Sequence, residues 1–217
     1  MKRILLAAVT GTFLFASCQN APKADKAEAT EAQQVQAATG ADYKADLAQS
    51  RIEFIGTKPV GKHHGNFMLK NGDLVVDNGN VTGGKFTIDI NTLRADDQDS
   101  TGNAKLGGHL LSPDFFDVQK FPEANFEITA VKTGVDSASL MKDATHTVTG
   151  NLTLKGVTKS ISFPAKIAVN NNQTTADANF NIDRTQWNLS YGNDKSLGDH
   201  FIAPEVNIQF HIVAAKG

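Results

Sequence analysis

Six histidines are the first side chains in this 217-residue chain that could do chemistry. His63 and His64 are neighbours, so on a strand their rings point apart, and His109, His146, His200 and His211 are scattered. Zinc sites bring their ligands in pairs at short, defined spacing. The histidines are therefore expected to be surface or hydrogen-bonded structural residues, with no metal. The run Asp96-Asp97-Gln98-Asp99-Ser100-Thr101-Gly102 has the acidic density of a calcium loop. Counted from Asp97, the twelfth position falls on Gly108, which has no side-chain oxygen, so a solvated loop is expected. Asp183-Arg184, shortly before Trp187, could set a guanidinium against a phosphate. The preferred reading is an ion pair or backbone clamp closing one end of the fold. No Gly-x-Ser-x-Gly turn or phosphate-cradling glycine loop is present. The Asp96-Asp97 pair lies in a polar stretch where nothing would raise a pKa. No enzyme activity and no catalytic residue are expected.

The single cysteine has a different chemistry. Lys2 and Arg3 precede an apolar run from Ile4 to Phe15, then Ala16, Ser17 and Cys18. A basic start, a short apolar core and small residues before a cut site make a secretory signal. The run is shorter than the roughly 17–25 residues that span a bilayer as a helix. Small residues directly before the cysteine resemble a bacterial lipobox, with Phe15 where leucine is usual. Residues 1–17 are thus read as a signal peptide ending at a lipidated Cys18. Acyl chains stabilise membrane attachment by about 0.8 kcal/mol per buried methylene. The expected location is the bacterial cell envelope: exported, lipid-anchored and facing the periplasm.

Stepping past the signal, 19 basic residues stand against 23 acidic ones, a formal charge of −4. That excludes a basic footprint for nucleic acid. With no second cysteine, the fold must be held by its core. Residues 19–41 are Ala, Lys, Glu, Gln and Thr with almost no apolar bulk, so a flexible tether is expected, with a weak helix as the alternative. As a random coil it would hold the domain roughly 25–30 Å from the lipid.

From Tyr43 onward, period-two alternation dominates. Ile52-Phe54-Gly56, Phe67-Leu69, Leu74–Val76, Phe86-Ile88-Ile90 and Phe126-Ile128 each face one side. The same holds for Val148–Leu154, Ile161–Val169, Ala176–Ile182 and Val206–Ile212. Breaks fall at Asn71-Gly72-Asp73, Asp77-Asn78-Gly79, Lys155-Gly156 and Asn170–Asn172. About eight strands of one apolar face each follow from this pattern. A sheet that long closes into a barrel to remove its edges. Residues 103–111 read as a helical insertion, Ser112-Pro113-Asp114 as the start of a second short turn. Phe115, Phe116 and Phe121 read as an aromatic lid or plug.

Six stretches in order resemble the YceI-like family: Ser50–Phe54, Lys62–Phe67, Gly108–Asp117, Phe121–Phe126, Thr149–Lys159 and Ile182–Thr185. The resemblance covers about Tyr43 to Ala215 and gives residues 42–217 as the domain. It implies an all-β fold, an eight-stranded antiparallel lipocalin-like barrel with a short helical insertion. It also implies a long polyisoprenoid, such as a quinone or prenyl phosphate, held inside. No catalytic residues carry over. On this reading Phe54, Phe67, Phe86, Ile88, Phe126, Leu152, Phe163, Phe180 and Phe210 line the cavity. His64, His109 and Arg184 are candidates for a ligand head group at the mouth. Gly56, Gly150, Ala165, Ala176 and Ala178 would leave gaps along the wall. The expected function is sequestering or carrying an isoprenoid lipid, with the membrane as a partner through the anchor. A dimer is one open assembly. The rival reading is a barrel packed dry, docking a protein partner on its surface.

Overall fold

Each alternating run presents one apolar row to a shared interior, and lateral pairing then satisfies its backbone. A computed structural model describes residues 20–170 and 172–217; the signal sequence and Cys18 lie outside the described residues. The chain begins with two short strands, β1 (Asp25–Lys26) and β2 (Thr30–Glu31), followed by β3 (Ala41–Ala45) and β4 (Arg51–Lys58). Two long strands, β5 (Gly61–Asp77) and β6 (Asn80–Ala95), lead into helix α1 (Ser100–Leu111). Then come β7 (Glu123–Thr133), β8 (His146–Leu154), β9 (Val157–Val169), β10 (Gln173–Asp183) and β11 (Glu205–Lys216). Short 3-10 turns at Arg184–Trp187 and Lys195–His200 lie in the last connection. No described helix is long and apolar enough to cross a membrane.

From β4 to β11 each strand pairs antiparallel with the next, and β11 closes onto β4. The result is a closed eight-stranded antiparallel barrel with one short helix, the lipocalin-like arrangement. Strand β3 continues the line of β4, pairing the far ends of β5 and β11. Between them the chain turns at 46–50, where the buried Ser50 hydroxyl accepts from the Val213 amide at 3.1 Å.

The expected turn at Asn71-Gly72-Asp73 is instead part of the 17-residue strand β5. Register slips between Asn66 and Met68, and between Leu69 and Asn71, put extra residues into the pairing with β6. The inward row therefore switches from Phe67 and Leu69 to Leu74 and Val76, all buried. True hairpin turns form at Asn78-Gly79 and Lys155-Gly156, where both central residues have positive φ.

Helix α1 begins before residue 103 because Asp99 caps it, its carboxylate accepting from the Gly102 amide at 2.7 Å. After it, Ser112 does not open a second helix. Its carbonyl accepts from the amides of Phe115 and Asp117, folding Phe115 and Phe116 back over the barrel end.

The segment expected as a free tether lies against the barrel wall over its described part. Strands β9 and β10 pair only from Ala165/Ala178 to Val169/Thr174. Beyond that they part. There β1 pairs parallel to β10 at Phe180 and Asn181, and β2 pairs with β9 at Ser160 and Lys159. Ala27 is buried in the core, and the Asp25 carboxylate accepts from the amides of Leu140 and Met141 at 2.9 and 3.1 Å. Farther along, Asn151 and Gln33 exchange hydrogen bonds, and the Thr82 hydroxyl donates to the Thr39 carbonyl. Poor apolar content prevents such a segment from folding alone. It does not prevent its backbone from completing a sheet that has free edges.

Candidate functional site

The inward rows leave a cavity of about 470 Å³ along the barrel interior. Phe54, Phe67, Phe86, Ile88, Phe126, Leu152, Phe163, Phe180 and Phe210 all line it. Phe163 and Phe180 stack with centroids 4.2 Å apart, and Phe210 meets both edge-on at 5.7 and 6.2 Å. Of the small residues expected to leave gaps, Gly56 does so: a Cβ there would meet nothing within 4 Å. Gly150 does not. A Cβ there would stand 2.4 Å from Phe126 Cζ, so the phenyl ring already occupies the space. Ala165 and Ala176 reach the wall, whereas Ala178 is buried beside it.

Polar groups gather at one end, where the β4–β5 hairpin, α1 and the β10–β11 connection meet. His109 lines this mouth, its ring 4.6 Å from that of Tyr191 and 6.2 Å from that of Phe115. His64 is not on the cavity wall, a correction to the expected mouth position. The inward row through Phe67 and Gly65 reaches His63, so His63 takes the wall and His64 turns to its partner Asp96. Counting back by twos from Phe67 would have found this. Lys58, Tyr191, Asp199 and His200 also line the mouth and were missed. The last three sit in an irregular connection with no periodicity to read. Phe115 and Phe116, read as a lid, line the cavity together with Leu106 and Leu110 of α1.

Arg184 is buried and acts as a backbone clamp. Its Nε donates to the Ala203 carbonyl at 3.1 Å, Nη2 to Ile202 at 2.9 Å, and Nη1 to Leu189. The guanidinium lies 5.5 Å over the Phe115 ring. Burial lowers its pKa to about 10, against the opposing field of Asp183. The Asp183 carboxylate is taken by the amide and hydroxyl of Thr185, and Arg184 makes no ion pair among the described residues. Trp187, fully buried, donates its Nε1 hydrogen to the Leu152 carbonyl at 3.0 Å. Together these bonds fold the β10–β11 connection over the barrel end. The arrangement offers an apolar chamber with hydrogen-bonding groups at its entrance.

Comparison with known proteins agrees with this geometry. The YceI-like domain model matches residues 43–214. The chain belongs to the YceI-like family. It is 37% identical over 136 residues to a UPF0312 protein of Pseudomonas aeruginosa, a match covering 60% of this chain and 63% of that relative. A Yersinia pestis UPF0312 protein is 32% identical over 165 residues, covering 70% of this chain and 78% of its own. The fold is similar to that of Burkholderia cenocepacia BcnA, with a TM-score of 0.61 and 24% identity. That match covers 78% of this chain and 98% of BcnA. A polyisoprenoid-binding domain from Saccharophagus degradans superposes with a TM-score of 0.60 at 16% identity, over 81% of this chain and 98% of that domain. In this YceI-like barrel, three of the stretches that carry the likeness converge at the mouth. Phe67 meets Phe116 edge-on at 5.8 Å, and Phe116 neighbours Phe115, over which Arg184 lies.

Proposed function

We propose that this protein binds an isoprenoid lipid, its apolar chain in the barrel and its polar head at the mouth. The observation that carries the reading is the 470 Å³ cavity walled by phenylalanine and aliphatic side chains. That volume falls in the range of small-molecule sites, roughly 300–1,000 Å³. Apolar burial at about 25 cal/mol per Å² supplies the driving force, offset by ordering the chain and desolvating the head. The solved relative described as polyisoprenoid-binding supports the same ligand class.

Polar groups at the mouth give the head its partners. Among the described residues the buried Thr57 hydroxyl meets no hydrogen-bond partner, and Thr57 lines the cavity. His109 and His63 stand at the same end. A quinone or a prenyl phosphate is the specific ligand proposed. We read the protein as a carrier or store and not a catalyst, exported and anchored through Cys18 in the bacterial envelope.

Mass spectrometry of the organic extract tests this, on protein lacking residues 1–18 and purified without detergent. A stoichiometric prenyl lipid is expected. An empty extract, together with no uptake of added quinones or prenyl phosphates, overturns the reading.

A further inference from the structure

Outside the cavity, strand register assembles a second group of polar side chains. Gly65 pairs with Ala95, so the next step of the β5–β6 ladder sets His64 against Asp96, and the Asp96 amide donates to the His64 carbonyl at 3.2 Å. There β6 ends and the chain turns. Asp97 folds back, its Oδ1 accepting from the His64 amide at 3.2 Å and its Oδ2 lying 2.8 Å from His63 Nδ1. The His64 imidazole nitrogen and the Asp96 and Asp97 carboxylates bring one atom each to within 4.8 Å of one another.

Among the described residues, no lysine or arginine forms an ion pair with Asp96 or Asp97. Two carboxylates therefore share one spot, faced by the His63 and His64 rings, the His64 amide and the Asn66 carboxamide, which donates to Asp96 at 3.4 Å. A divalent cation would supply the positive charge that no lysine or arginine brings to this spot.

We propose that His64, Asp96 and Asp97 bind a divalent transition-metal cation, with His63 as the positioning residue that holds Asp97. One nitrogen and two oxygens, with remaining positions open to water, suit Zn²⁺ and its first-row neighbours. Ca²⁺ takes six to eight oxygens, which this set does not provide. The hydrogen bond from His63 to the second oxygen of Asp97 is the kind of outer contact that orients a metal-binding carboxylate. The site ties β5 to the segment leading into α1, whose Leu106 and Leu110 line the cavity. A bound cation would therefore brace the cap without entering the lipid chamber. The proposal does not depend on which ligand the barrel holds.

The test is titration of the chain, free of any polyhistidine tag and stripped with a chelator, with Co²⁺ followed by Zn²⁺. One equivalent of Co²⁺ should bind, seen in its visible absorption, and be displaced by Zn²⁺. His64→Ala and Asp97→Asn should each weaken binding by about tenfold or more, since even outer-contact changes cost that much. His211→Ala removes the separate His211–Asp177 pair, 2.6 Å apart, and should leave binding unchanged. Circular dichroism checks that each variant folds; if His64→Ala does not, Asp96→Asn is read in its place. Absence of saturable binding, or equal binding in the folded His64 and Asp97 variants, overturns the site.

Discussion

Phe163 and Phe180 lie face to face, 4.2 Å apart and 7° from parallel, at a level where their strands no longer hydrogen-bond. The last β9–β10 pair is Ala165 with Ala178, and two residues farther along each strand stand these rings. Side chains thus carry the register across a seam that the backbone has left, with β1 and β2 lying along it. Replacing either ring by leucine should cost about 1 kcal/mol, as for other core shape changes. A double-mutant cycle should return a coupling of about 0.5–1.5 kcal/mol. Urea denaturation measures both, and strict additivity would show that the stack is only proximity.

The strand segment along that seam should behave as part of the fold. Deleting residues 19–40 removes the burial of Ala27 and the hydrogen bonds to Asp25. Taking about 2 kcal/mol for these, the melting temperature should fall by roughly 4–8 °C. Amide exchange should quicken at residues 157–164 and 179–183. An unchanged melting curve would mean that the segment merely rests on the wall.

Two glycines should respond in opposite ways. Gly150→Ala drives a methyl to 2.4 Å from Phe126 Cζ and 2.7 Å from the Glu127 carbonyl oxygen, and should destabilise by about 1–3 kcal/mol. A Cβ at Gly56 meets nothing within 4 Å, so Gly56→Leu should fold normally and fill part of the chamber. Uptake of a fluorescent prenyl lipid should then drop. Full uptake by a folded Gly56→Leu variant would place the chain elsewhere.

Arg184→Met keeps apolar bulk and removes three bonds to the carbonyls of Leu189, Ile202 and Ala203. Leaving the buried Leu189 carbonyl and two partly buried carbonyls unpaired should cost about 3–5 kcal/mol. Chemical denaturation should show the midpoint moving with little change in slope. Prenyl lipid uptake by the folded fraction should persist, since all three guanidinium nitrogens already serve the backbone.

His146 predicts an acid-sensitive component of stability. Burial holds its imidazole below the ordinary value, so the folded state resists a proton that the unfolded chain accepts below about 6.5. Stability is therefore full above that value and declines as pH falls through it toward the lower folded value. His146→Gln should show a smaller loss of melting temperature than the parent between about pH 7.5 and 5.5. Equal losses would assign the acid sensitivity to other groups.

The alternation of Phe54, Phe86, Phe163 and Phe180 with polar neighbours is enough to give the inward faces and an all-β barrel, but not every strand boundary, since the turn expected at Asn71-Gly72-Asp73 lies inside β5. Inward direction is a local property, set by the two-residue pleat. Local chemistry likewise sufficed for the Asn78-Gly79 and Lys155-Gly156 turns, whose left-handed backbone suits those residue types. The reading failed where one position depends on a distant partner. His64 is a mouth candidate because it sits in a stretch that resembles the family, while strand parity gives the wall to His63. Residues 20–40 looked too polar to fold, because composition counts apolar side chains and not the free edges of β9 and β10. Asp96 and Asp97 do lie in the loop after β6, but that β5 sets His63 and His64 beside them, more than thirty residues away in sequence, does not follow from their local spacing. Tertiary structure alone decided these, because register and chain crossing set which side chains meet, and neither is written in local spacing.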